Sequence, residues 1–161
     1  MINVLLNKIE SNEPNFKKIE SMLASNSISI TFCNPSAIKI YEQNREYRKE
    51  IVKIDLIYSD GMLLCNYLKI LNKISYSRVS FDGNSVAPLF FNFALKNNLK
   101  TCFIGGKPGI SKRASKIISN TFNINIPLSY HGYFKDNEFD EIIDEMKKNN
   151  IKFIVIGMGV P

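Results

Sequence analysis

Short β-branched runs alternate with amphipathic stretches along most of this chain. "SISITFC" (27–33), "DLIYS" (55–59), "KTCFIGG" (100–106) and "KFIVIG" (152–157) each read as a buried strand. Helical patterns of roughly 10–15 residues separate such runs, which argues for βαβ units and a mostly parallel sheet flanked by helices. The expected fold class is therefore α/β, Rossmann-like, in one domain over residues 1–161. In such sheets ligands bind beyond the carboxyl ends of the strands, so the residues just after each strand are the ones to read for chemistry.

The remaining elements follow from local signals. "INVLL" (2–6) is apolar enough for an edge strand, and residues 15–25 have helical spacing. Pro35 suits the first turn of a helix, where its missing N–H costs nothing. Ala37, Ile38, Tyr41 and Tyr47 to Ile51 give that helix an apolar face. Further helices are predicted over 61–72, about 84–97 (capped by Asn84 or Ser85), 111–120 and 136–149. "RVS" (78–80) is ambiguous, and "INIPLSYHGYF" holds a short strand and a loop.

With 161 residues, 45% of them hydrophobic and 22% charged, the composition is that of an ordinary globular domain. No apolar run approaches the ~20 residues of a membrane span. The N-terminal stretch lacks the pattern of a signal peptide. Cys33, Cys65 and Cys102 are widely spaced and flanked by apolar residues, so we expect reduced core cysteines in a cytoplasmic protein. One histidine and no CxxC argue against a zinc site. The net charge of +6 suits an anionic partner, although the lysines are spread out and could simply solvate the surface. No RNP, helix-turn-helix or zinc-finger pattern is present, so no nucleic-acid partner is expected.

Polar residues and glycines collect after the strands. Thr31 lies inside the end of the first run, and Asn34 follows it. Asp60 and Gly61 follow the second, where Asp60 reads either as a helix N-cap or as a general base. Arg78 and Asp82 in "RVSFDGNS" could pair locally or contact a substrate. In "GGKPGI", Gly105 and Gly106 permit unusual backbone and close approach of a phosphate, and Lys107 adds charge. The same turn is also what a strand-to-helix connection needs, and it is neither a GxGxxG fingerprint nor a P-loop. His131, Gly132 and Tyr133 form a loop that could hydrogen-bond at the surface or contact a base or sugar. Gly157 and Gly159 in "IGMGVP" end the last strand.

Together, "TFCNP", "DLIYSDGMLL", "RVSFDGNS", "FIGGKPGI", "HGYF" and "IGMGVP", in this order, resemble the WecG/TagA/CpsF glycosyltransferases, glycosyltransferase family 26. The resemblance covers about residues 27–161. It implies transfer of an N-acetylmannosamine-type or related sugar from a UDP-sugar to a lipid-linked acceptor, a sugar pyrophosphoryl polyprenol. It further implies an inverting mechanism with no metal or other cofactor, at the inner face of a bacterial membrane. Carried over by position, Asp60 matches the general base and Thr31 a threonine of the catalytic pocket. Asn34, Arg78, Asp82, Gly105, Gly106, Lys107, His131, Gly132, Tyr133, Gly157 and Gly159 match substrate-binding elements. Phe81 stands where a glycine is usual, and Ser59 where proline is common.

The family continues past "G-P" into a Lys-Gln-Glu motif, a helix and a C-terminal appendage linked to membrane association. Pro161 is the last residue here. The expectation is a truncated form that keeps the fold, catalyses poorly and self-associates through apolar surface left uncovered. The alternative is a non-catalytic module that binds nucleotide sugars on the same core.

Overall fold

The computed structural model describes residues 2–24 and 27–159. The Val160 and Pro161 end of the predicted glycine loop lies outside them. The chain forms two compact units, one running to Ala87 and the other over Pro88–Gly159.

The first unit holds a three-stranded sheet in the order β1-β3-β2, formed by Ile9–Glu10, Leu56–Ser59 and Ile30–Cys33. Both ladders are parallel. All four residues of β3 are buried, as expected of a central strand covered on both faces. Cys33 faces Ser59 across the ladder, so the ends of β2 and β3 lie side by side. Asp55 ties the other end, accepting from the Ser29 N–H at 2.7 Å and the Ser29 hydroxyl at 2.6 Å. These bonds hold its carboxyl below the usual carboxylate range.

Helices α1 (Ile2–Leu6), α2 (Phe16–Leu23), α3 (Pro35–Gln43), α4 (Arg45–Ile51) and α5 (Met62–Asn72) complete the unit. Their core includes Leu5, Leu6, Tyr41, Ile57, Leu64 and Leu68. The expected edge strand at "INVLL" is α1 instead. Adjacent Leu5 and Leu6 are both fully buried, which a two-sided strand edge does not allow but a helix face does. The two-residue β1 and the four-residue β2 are the edges of this sheet.

The helix predicted from Pro35 to Ile51 is divided at Asn44, whose backbone is extended. The Asn44 side chain accepts from the N–H groups of Glu46 (2.9 Å) and Tyr47 (3.0 Å), capping α4. An asparagine can satisfy two orphan donors at once, and this outweighs continuing the helix. Asn44→Ala should therefore cost about 1 kcal/mol in a urea unfolding curve. An unchanged midpoint would mean that the break is imposed by packing alone.

The second unit holds a sheet in the order β5-β4-β6, from Leu128–Tyr130, Thr101–Gly105 and Phe153–Gly157, again all parallel. Helices α6 (Ala87–Lys96), α7 (Ile110–Phe122) and α8 (Phe139–Lys148) flank it, with a 3-10 turn at Asp136–Glu138. Phe91 packs against Phe103 and Phe122, and Phe90 stacks on Phe153. Parallel α/β architecture is thus as the alternation implied, but the strands form two three-stranded sheets. Helix α6 starts at Ala87, later than predicted. Asn84 and Ser85 lie in the turn before it, and Ser85 Oγ accepts from the Ser80 N–H at 3.2 Å.

The three cysteines are free and buried. Burial pushes the thiols of Cys33 and Cys102 up to about 11. A thiol reagent at neutral pH should leave the folded chain unlabelled and react with all three on unfolding. Fast labelling of the native protein would contradict this packing.

Candidate functional site

Asp60 stands one residue past the central strand of the first unit. Its N–H donates to the Cys33 carbonyl at 2.7 Å, adding one bond beyond the β2–β3 ladder and fixing its backbone. Gly61 then turns the chain with φ +110° and takes the N-cap position of α5. The N-cap role considered for Asp60 therefore falls to the glycine, and its carboxylate is left for other work. Asp60 Oδ1 lies 3.7 Å from the guanidinium of Arg78.

Arg78 is shared. It also lies 3.7 Å from Asp82 Oδ2 and 3.5 Å from Ser80 Oγ. The Ser80 hydroxyl donates to Asp82, and Asp82 Oδ1 accepts from the Asn84 N–H at 2.9 Å. These bonds, with Arg78 beside them, hold the Asp82 carboxyl below its ordinary range. Asp82 is thereby the anchor of the loop, and Arg78 is the cation between two carboxylates. Val79, fully buried, pins the segment by donating its N–H to the Ser59 carbonyl at 2.8 Å.

Sequence reasoning passed over Ser80, whose position between Arg78 and Asp82 was the available signal. It also singled out Phe81 and Ser59 only as departures from a pattern. The Phe81 ring packs 5.8 Å from that of Phe32, which stacks on Tyr58, so it fastens the Arg78 loop to the sheet. Ser59 is fully buried with its hydroxyl 3.2 Å from Cys65 Sγ.

Asn34 is the N-cap of α3, accepting from the Ala37 N–H at 2.9 Å. A Cβ on Gly61 would meet the Pro35 ring at 3.9 Å, so the two strand-end turns adjoin. Thr31 sits in the body of β2 opposite Ile57, three residues below the level of Asp60.

In the second unit the glycines crowd one another. Gly105 and Gly157 are ladder partners, and a Cβ on Gly105 would lie 2.3 Å from the Gly157 carbonyl oxygen. The Gly132 N–H donates to the Gly106 carbonyl at 2.9 Å, and a Cβ on Gly132 would come within 3.2 Å of Gly105 Cα. The three strand ends are thus drawn together by backbone contact.

His131 Nδ1 accepts from the Tyr133 N–H at 3.1 Å, which places the proton of the neutral ring on Nε2. Tyr133 itself is exposed, and so is Gly159. Beside these turns a cleft of about 360 Å³ is lined by the start of α7, His131, Tyr130 and acidic residues of α8. Tyr130 donates to Glu145 at 2.5 Å, and burial with that bond pushes its hydroxyl well above the usual tyrosine range. Lys112 of α7 is the cation on the cleft wall. Helix α7 has no side-chain cap at Gly109; the Ile110 N–H donates to the Lys107 carbonyl at 3.0 Å, and the N–H groups that follow it in the first turn can serve an anion.

The model of the glycosyl transferase WecG/TagA/CpsF family matches residues 1–161. The chain belongs to the WecG/TagA/CpsF glycosyltransferase family. A relative in Shigella boydii, UDP-Gal:alpha-D-GlcNAc-diphosphoundecaprenol beta-1,4-galactosyltransferase, is 36% identical over 135 residues. The match covers 82% of this chain and 54% of the relative. The chain thus spans about half the length of that curated relative. Within this WecG/TagA/CpsF member, the resemblance drawn from strand-end motifs is upheld by the match along the full sequence.

Proposed function

We propose that the chain carries the catalytic core of a glycosyltransferase that moves a sugar from a UDP-sugar to a sugar on a diphospho-polyprenol. The observation that carries this is Asp60, held by the last bond of the central ladder, relieved of capping by Gly61, and facing Arg78. Asp60 takes the proton from the acceptor hydroxyl. The freed oxygen attacks the anomeric carbon of the donor, the bond from that carbon to the diphosphate breaks, and UDP leaves with its electron pair. Attack from the face opposite the leaving group inverts the anomeric centre.

Thr31 and Asn34 belong to the same proposed pocket through the family pattern. The donor's phosphates are assigned to the turn of Gly105, Gly106 and Lys107 and to the start of α7, with His131, Gly132, Tyr133, Gly157 and Gly159 as substrate contacts. Backbone N–H groups and cations stabilise the departing diphosphate in this reading, with no metal or other cofactor required of the protein. A lipid-linked acceptor places the work at a membrane surface, on the cytoplasmic side.

For the donor, the family pattern favours an N-acetylmannosamine-type sugar, and the name of the Shigella relative favours galactose. Incubation with each UDP-sugar and a GlcNAc-diphospho-prenol acceptor tests the proposal. Release of UDP coupled to a disaccharide-lipid product is expected. UDP binding without product from any donor would make the chain a nucleotide-sugar-binding module instead.

A further inference from the structure

Helix α5 begins immediately after Asp60 and Gly61, and its two sides differ in an unusual way. Leu64, Cys65 and Leu68 are buried in the core of the first unit. On the outer surface, Leu63 and Ile70 are 79% and 80% exposed, and Tyr67, Leu71 and Ile74 are exposed as well. Positions 63, 67, 70 and 71 fall on one stripe of the helix, and the exposed Ile74 follows just past its left-handed C-cap, Lys73. Asn66, Lys69 and Lys73, also exposed, run along the flank. Contiguous apolar surface of this kind marks an interaction site, unlike apolar residues scattered singly.

We propose that this stripe docks on an anionic lipid leaflet, with α5 lying in the plane of the interface. Three observations select a lipid surface. The stripe is the convex face of a helix, so it matches a flat boundary; a single hydrocarbon chain would need a groove. Lysines border it, and such cations are attracted to anionic headgroups. It is continuous with Asp60, and an acceptor hydroxyl is separated from its prenyl chain by only a sugar and a diphosphate. A second copy is a poorer occupant, because one helical stripe is far short of the roughly 20–30 residues a side in a standard interface. The choice of lipid rests on the reading of the acceptor as lipid-linked, whereas the docking itself can be measured without it.

The test is flotation of the 161-residue chain with vesicles of phosphatidylglycerol and phosphatidylethanolamine containing no acceptor. The chain should float with them, and bind phosphatidylcholine vesicles less. Ile70→Glu should weaken partitioning on the order of tenfold. Replacing Lys69 and Lys73 with Gln should weaken it less and reduce its salt dependence. These side chains are exposed, so urea midpoints should match wild type and certify the fold.

No vesicle binding by wild type, or equal binding by Ile70→Glu, overturns the proposal. So does a dimer in solution that Ile70→Glu dissociates in the absence of vesicle binding, since the face then serves a second copy. Transfer to a water-soluble short-prenyl acceptor separates the two readings. Turnover without vesicle binding sinks only the docking. Vesicle binding lost in Ile70→Glu, with no turnover on any acceptor, supports the docking and sinks the glycosyltransferase reading.

Discussion

Asp60→Asn should lower sugar transfer by about 10²–10⁴-fold, the range expected when a general base is removed. The amide keeps the size and shape of the carboxylate but cannot take the acceptor's proton. The fold should survive. The ion pair with Arg78 is 3.7 Å long, with the side chains 31% and 47% exposed. Partly exposed pairs contribute at most about 1 kcal/mol. The backbone bond from Asp60 to Cys33 does not involve the side chain. Product formation with each UDP-sugar, read beside a urea midpoint, separates catalysis from stability. Turnover near the wild-type rate would remove Asp60 from the role of base. Ser80→Ala is the companion variant, because it loosens the tie between Arg78 and Asp82 without touching Asp60. Its effect should be several-fold, well below that of Asp60→Asn. Equal losses would shift the weight of the chemistry from the carboxylate to the loop.

Asp60 also shows where sequence reading stops. An Asp-Gly pair after a buried strand is compatible with a cap and with a catalytic carboxylate, and spacing cannot separate them. The distinction lies in one dihedral: at φ +110° Gly61 becomes the N-cap, and the carboxylate is displaced from the helix end. Strand identity was legible at β2, β3, β4 and β6 from their apolar runs, but burial was not: β6, expected to be buried, is an edge strand with Ile154 44% and Ile156 66% exposed. Their grouping into two sheets was not legible either, because periodicity says which residues are strand but not which strand lies beside which. The helix at Ile2–Leu6 was misread because five residues, four of them apolar around Asn3, are too short a stretch to show a period. In the site, Arg78 and Asp82 stood out by charge. Ser80 and Phe81, which hold them in place, are a small hydroxyl and an aromatic with no chemical signature of their own.

Gly105→Ala should destabilise the chain by about 3 kcal/mol or more, as overpacking against backbone does when nothing can move aside. The new Cβ would lie 2.3 Å from the Gly157 carbonyl oxygen and 2.6 Å from its carbon, at a φ of +149°. Gly132 closes the other side, so relief would mean parting the ends of β4 and β6. Gly109→Ala is the informative contrast. Its φ is +88°, and a Cβ there meets nothing within 4 Å. The cost is then backbone strain alone, about 1–2 kcal/mol. A urea curve for each variant should show the larger loss at Gly105, and equal losses would mean that strain rather than contact governs the turn. The pair also bears on function. Gly105 is explained by packing, so its presence is no evidence of a ligand. Gly109 is not explained by packing. It caps the 13-residue α7 without a side chain, where a donor phosphate would approach the free N–H groups. If that turn receives the diphosphate, Gly109→Ala should weaken UDP binding severalfold by calorimetry while the protein stays folded. Unchanged affinity in a folded variant would move the phosphate site away from the start of α7.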